Sequence, residues 1–161
     1  MLKVKIKIFD VLNYCLVLIL AITSYGNSSF GQSRFINPEG TFEYAGKTTI
    51  KNGDTYGYYG TIQIKTISKR KIAMTFYICK GAMSYNSGSF IDTLNYSNNI
   101  AIYKDDDCTT IFTFTMKGID VKETSNGECW GNGVYAHGHF KRKSFKEPVL
   151  VNPLSGEKIK P

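Results

Sequence analysis

The chain has 161 residues, 42% of them hydrophobic and 14% aromatic, and a formal net charge of +7 at pH 7. That length supplies one domain with one core, and the basic balance favours anionic surfaces such as lipid headgroups or cell-wall polymers without naming a partner. No glycine-rich phosphate loop, Ser-His-Asp order or paired-carboxylate motif is visible, so the expected protein is non-enzymatic and takes no cofactor.

The amino terminus carries Lys3, Lys5 and Lys7, then an apolar run over 11–22, then small polar residues. That order reads as a secretory signal peptide over 1–31, with cleavage after Gly26 or, preferably, after Gly31. The apolar run is shorter than the roughly 20 residues of a membrane span. Cys15 lacks the small preceding residues of a lipoprotein signal. The expected mature chain is therefore secreted or periplasmic, with no transmembrane segment after signal removal. Export removes three lysines and one aspartate with Cys15, leaving a moderately basic chain with Cys79, Cys108 and Cys129. An odd number of cysteines in an oxidising compartment points to one disulfide and one leftover thiol.

From Gly40 onward, period-two alternation predicts strands at 41–46, 58–67, 71–80, 89–96 and 99–104. Ile72, Met74, Phe76 and Ile78 alternate with Ala73, Thr75, Tyr77 and Cys79, the pattern of a strand with one buried face. Residues 108–116 and 118–124 read as a hairpin turning at Lys117-Gly118, with Met116 facing Ile119 and Phe114 facing Val121. A last strand spans 132–142. The fold class is all-β: a single antiparallel barrel, or barrel-like sandwich, of about seven to eight strands. The barrel domain runs over 32–143. The tail, 144–161, holds three of the four prolines and reads as extended or disordered, with Val149-Leu150-Val151 as a segment able to dock on the barrel.

Residues 127–143 hold Cys129, the single tryptophan and both histidines. A His-x-His pair on a strand puts His137 and His139 on one face, a spacing compatible with zinc if Cys129 and a residue such as Cys79, Cys108 or one of Asp105–Asp107 completed the set. Alternation also places Val134, Ala136, Gly138 and Phe140 inward and Tyr135, His137, His139 and Lys141 outward, so a solvated outer face is favoured over a metal site. Asp105-Asp106-Asp107 lacks the alternating ligands and closing glutamate of an EF-hand loop. The basic runs at 69–71 and 141–143, with plentiful aromatics, raise single-stranded nucleic acid as a ligand. An exported protein rarely meets it, and none is expected. Cys108 opens the hairpin and Cys129 follows it, so a Cys108–Cys129 disulfide is the expected pairing. Closing a loop of about 20 residues is worth about 3 kcal/mol in the chain-entropy model. Cys79 is then free, with no motif around it to make it a nucleophile.

The segment from Cys108 to Lys141, with Glu128-Cys129-Trp130-Gly131, Gly133-Val134-Tyr135 and Gly138-His139-Phe140-Lys141, resembles the closing strands of small bacterial periplasmic proteins, some grouped with the lysozyme inhibitors. The resemblance implies a disulfide-pinned barrel that works by binding, through a Ser-Gly-containing loop entering an enzyme's cleft. Ser84-Tyr85-Asn86-Ser87-Gly88-Ser89 is the comparable stretch, although the fuller motif is absent and a basic chain meets basic lysozymes at an electrostatic disadvantage. Gly40-Thr41-Phe42-Glu43-Tyr44 is similar to the Gly-x-Trp opening of lipocalins, with phenylalanine in place of tryptophan, which implies a carrier of a small apolar ligand. Met83, Ser84, Tyr85, Asn86, Ser87 and Gly88 form the expected binding loop, directed at a cell-wall-associated protein or polymer.

Overall fold

The computed structural model describes residues 34–124 and 129–160. The expected signal peptide and Glu128 lie outside them. Among the described residues every regular element is a strand: β1 Gly40–Tyr44, β2 Thr49–Lys51, β3 Asp54–Ser68, β4 Lys71–Gly81, β5 Ser87–Ser97, β6 Ile100–Asp105, β7 Cys108–Phe114, β8 Gly118–Glu123 and β9 Gly138–Ser144. No described helix is long and apolar enough to cross a membrane. The strands pair antiparallel in the order β1-β9-β8-β7-β6-β5-β4-β3-β2, and β1 also pairs with β3. That second pairing closes eight strands into a barrel and leaves β2 outside it, hydrogen-bonded to β3 alone.

Closure follows from the alternation. β4 turns Ile72, Met74, Phe76 and Ile78 inward; Phe42, Ile62, Ile64, Phe90, Phe112, Ile119 and Phe140 meet them from the other strands in one contiguous core. Phe76 lies at its centre, with ring centroids 4.7 Å from Trp130 and 5.6 Å from both Phe90 and Phe112. An eight-strand barrel is just wide enough to be filled by its own side chains, and this lumen is filled in that way.

Several details depart from the sequence expectation, among them the unpredicted β2. The β7–β8 turn sits one residue earlier, at Met116-Lys117: Phe114 pairs with Ile119 and Phe112 with Val121, while Met116 is exposed at the tip. Both registers keep the same parity, so the apolar faces still meet. β9 begins at Gly138, and 132–137 is irregular chain with Val134 and Ala136 still fully buried. The outer face of β4 is buried as well, at Ala73, Thr75 and Cys79. The tail supplies part of that cover. It turns back through a Val151↔Lys158 bridge, buries Leu150, donates the Val151 amide to Gln63 Oε1 and pairs Glu147 with Lys65 at 2.8 Å. Gln63 Oε1 also accepts from the Thr75 hydroxyl. The tail, read from the sequence as extended or disordered, thus folds back as a hairpin, and the docking that 149–151 allowed is seen.

Candidate functional site

The β4–β5 connection is shorter than the predicted loop. Met83, Ser84, Tyr85 and Asn86 lie in it, whereas Ser87 and Gly88 already pair within β5, opposite Cys79 and Ile78. Gly88 has a packing role: a Cβ there meets the Trp130 backbone and Cβ within 2.6–2.7 Å, so the tryptophan seats where a side chain is missing. The loop itself is tied down. The Ala82 amide donates to Thr55 O at 2.7 Å and the Lys80 amide to Asn86 O at 3.1 Å. Tyr85 holds φ +52, which L residues rarely adopt; its hydroxyl donates to Asp54 Oδ1 at 2.7 Å and accepts from the Thr55 amide. The bond to Asp54 raises the Tyr85 phenol above the ordinary phenol range. Asn86 Nδ2 donates to Asn132 O at 2.7 Å. Met83, 89% exposed, projects from this framework.

Asn132 belongs to the second component of this end of the barrel, residues 129–137. The Cys108–Cys129 disulfide is formed and anchors the segment's start. Tyrosine hydroxyls hold its backbone: Tyr58 donates to Gly133 O at 2.9 Å, and Tyr44 to His137 O at 3.1 Å. Burial, then the neighbouring Tyr58, raises the Tyr44 phenol. Irregular backbone has no ladder to satisfy its polar groups, so side chains do it one by one.

Glu123 contributes from inside. It shares the inward parity of Ile119 and Val121, is 4% exposed, accepts the Ala136 amide at Oε2, and has His137 Nε2 3.7 Å from Oε1. Its cross-strand partner is Thr110, fully buried. Glu123 Oε1, Thr110 Oγ1 and the Trp130 indole nitrogen are buried without a hydrogen-bond partner among the described residues. This carboxylate clasps the covering segment from beneath; the parity of β8 points it inward, although a lone charged residue on a strand reads as surface.

The histidines face separate carboxylates: His139 Nδ1 is 2.7 Å from Asp120 Oδ1, and His137 stacks on Tyr135 beside Glu123. Among the described residues no group of three or more His, Cys, Asp or Glu converges as metal ligands would. Asp105 closes β6, and Asp106 and Asp107 form the exposed turn before Cys108. Cys79 is free and 1% exposed. Its hydrogen bond is the largest of the effects that raise the Tyr59 phenol, and after burial it also raises Tyr77. Cys79 is therefore packed beneath a pair of tyrosines on the outer wall, with ring centroids 6.2 Å apart. The 141–143 run is not one basic patch. Lys141 and Lys143 point outward, while Arg142 turns in over the Phe42 ring at 4.4 Å.

Against known proteins the chain finds no match: no family model, no curated protein and no solved structure.

Proposed function

We propose that the protein is an exported, non-enzymatic binding protein whose working surface is the barrel end built from the β2–β3 hairpin, the 82–86 loop and the 129–137 segment. The observation that carries this reading is Met83, almost wholly exposed on a loop that hydrogen bonds hold to both neighbouring segments. An ordered loop loses little entropy on binding, and methionine adapts to varied apolar contours. The disulfide supports an oxidising compartment. A lumen filled by core side chains favours the surface over the interior, and so favours an inhibitor or adaptor over a lipocalin-like carrier.

A lysozyme, or the cell-wall polymer it acts on, is the first target to test. The purified chain at micromolar concentration is expected to inhibit a C-type, G-type or I-type lysozyme, or to co-sediment with peptidoglycan. Met83→Ala is expected to weaken that interaction about tenfold with unchanged unfolding behaviour. Tyr85→Ala is the less clean probe, because it also unlatches the loop from Asp54 and Thr55. Absence of both inhibition and co-sedimentation, or full binding by Met83→Ala, overturns the assignment.

A further inference from the structure

One junction closes the barrel over two residue pairs only. β5 meets β6 at Tyr96↔Ala101 and Ser97↔Ile100. On their other sides, β5 pairs with β4 from Lys71↔Asn95 to Cys79↔Ser87, and β6 pairs with β7 along its whole length. Residues 87–95 of β5 and 102–105 of β6 therefore have a sheet partner on one side and none among the described residues on the other. A strand edge of this kind presents a row of N–H and C=O groups, a template for another chain; on β5 the Thr93 amide donates to Asp92 Oδ1 at 2.6 Å. The free edge of β5 is about 30 Å long at the usual strand rise.

Among the described residues, side chains fill the inward side of the seam and leave its acidic groups exposed. Phe90, Leu94 and Tyr96 are buried on the inward face of β5, yet Asp92, of the same parity, is exposed. Opposite, Ala101 is buried, Tyr103 half-buried and Asp105 exposed. Tyr103 lies flat on Phe90, with centroids 4.1 Å apart and planes 8° apart, and Trp130 backs both rings. The floor is thus aromatic. Its charge is acidic: the Tyr103 hydroxyl sits 3.5 Å from Asp105 Oδ2, and burial followed by the Asp105 and Asp92 charges raises its phenol. Ile91 and Ile102 stand exposed on the outer rim. Lys104, the one basic residue of these edges, is on the outward parity of β6. An acidic, aromatic-floored slot in a chain of net positive charge selects a cation.

We propose that the β5–β6 seam binds an extended segment of a partner protein by strand addition to β5, with a lysine or arginine side chain of that segment set between Asp92 and Asp105 over the Tyr103 ring. Main-chain pairing supplies affinity in this mode and the side-chain slot supplies selectivity. This surface adjoins the loop end and shares Trp130 with it, but the Met83 and the Asp92 and Asp105 variants test the two apart.

The test uses the purified chain and a capped decapeptide of alternating lysine and threonine, with a glutamate–threonine counterpart and a backbone N-methylated lysine–threonine version. The first peptide is expected to bind saturably and to protect the amides of 88–95 from hydrogen exchange. Asp92→Asn with Asp105→Asn, both at exposed positions, is expected to weaken it about tenfold with folding unchanged. The other two peptides are expected not to bind. Overturning results are no saturable binding at millimolar peptide, equal binding of the acidic or N-methylated peptide, or protection elsewhere. Concentration-dependent dimerisation that protects 88–95 without peptide also overturns the proposal, and assigns the seam to a second copy.

Discussion

The two ends of the barrel are closed by different means. At the end holding the β3–β4, β5–β6 and β7–β8 turns, closure is noncovalent and compact. Arg142 reaches from β9 across the opening, donates to the carbonyls of Asn37 and Glu39, and lies over Phe42 and Phe145. Tyr96 donates to Ile36 O at 2.6 Å, and Asn99 binds the backbone of Arg34 and Ile36. At the other end a disulfide, a buried carboxylate and tyrosine hydroxyls hold an irregular segment over the core. The first end satisfies its backbone through the side chains of Arg142, Tyr96 and Asn99 and has short turns. The second holds an irregular segment, presents the long loops and, among the described residues, keeps Glu123 Oε1, Thr110 Oγ1 and the Trp130 indole nitrogen buried without a partner. Binding surfaces sit where rigid scaffolds carry such loops, and this is why the proposed working surface is put at the second end.

The largest effect tests the covalent closure. Replacing both Cys108 and Cys129 with alanine is expected to destabilise the fold by about 3 kcal/mol, within the usual range for loss of a native disulfide. Urea unfolding measures this. Hydrogen exchange is expected to show the loss of protection concentrated in 129–137, with the Arg142 end unchanged. Uniform loss at both ends would break the distinction.

Next is Arg142→Ala, expected to cost about 2 kcal/mol, because hydrogen bonds to charged groups contribute more than neutral ones. Burial lowers the Arg142 pKa, yet the guanidinium remains charged under all ordinary conditions. Arg142→Lys is expected to recover less than half, since an ammonium cannot serve two carbonyls and stack on two rings at once. Binding by the Met83 loop is expected to be unaffected by either.

Much of this was legible in the sequence where one buried face imposes a period. β4 and the β7–β8 hairpin declare themselves by alternation, and Cys108 and Cys129 flank the hairpin closely enough to pair. β2 is fully exposed, so no apolar period marks it. Its signal was Asn52-Gly53, whose φ values of +53 and +86 suit the tight hairpin turn that this dipeptide favours. Parity already placed Glu123 with Ile119 and Val121, and Arg142 with Phe140, but a charged residue at an inward position reads as surface until its partners are seen. Those partners are remote: Ala136 for Glu123, and Asn37 and Glu39 for Arg142. The buried outer face of β4 and the β5–β6 seam depend on which strands separate and where the tail lands, information that no local pattern holds.

A smaller effect separates the clasp from the disulfide beside it. Glu123→Gln keeps an acceptor for the Ala136 amide and removes the charge facing His137. It is expected to cost about 1 kcal/mol, against about 2 kcal/mol for Glu123→Ala, which leaves that amide buried and unpaired. Thermal or urea unfolding of the two variants checks the order; Gln as costly as Ala would make the charge, not the hydrogen bond, the holding element.

The smallest effect probes the opposite end through pH. Burial pushes the Tyr96 phenol up to about 12, with the nearby Arg142 charge opposing in part. The folded-state pKa lies above the unfolded value of 10.0, so the fold favours the neutral phenol. That contribution is fully present below pH 10 and is lost as pH rises through about 12, because the unfolded chain ionises first. Tyr96→Phe removes the donor to Ile36 O and is expected to cost about 1 kcal/mol near neutrality. It is also expected to flatten the decline in stability between pH 10 and 12, so that the wild type's advantage at pH 7 shrinks as pH rises above 10 and reverses towards pH 12. Chemical unfolding at a series of alkaline pH values, with phenolate absorbance followed in parallel, reads both. A constant gap between the two proteins across that range would mean that Tyr96 closes its end by ring packing alone, against Phe114 and Phe35.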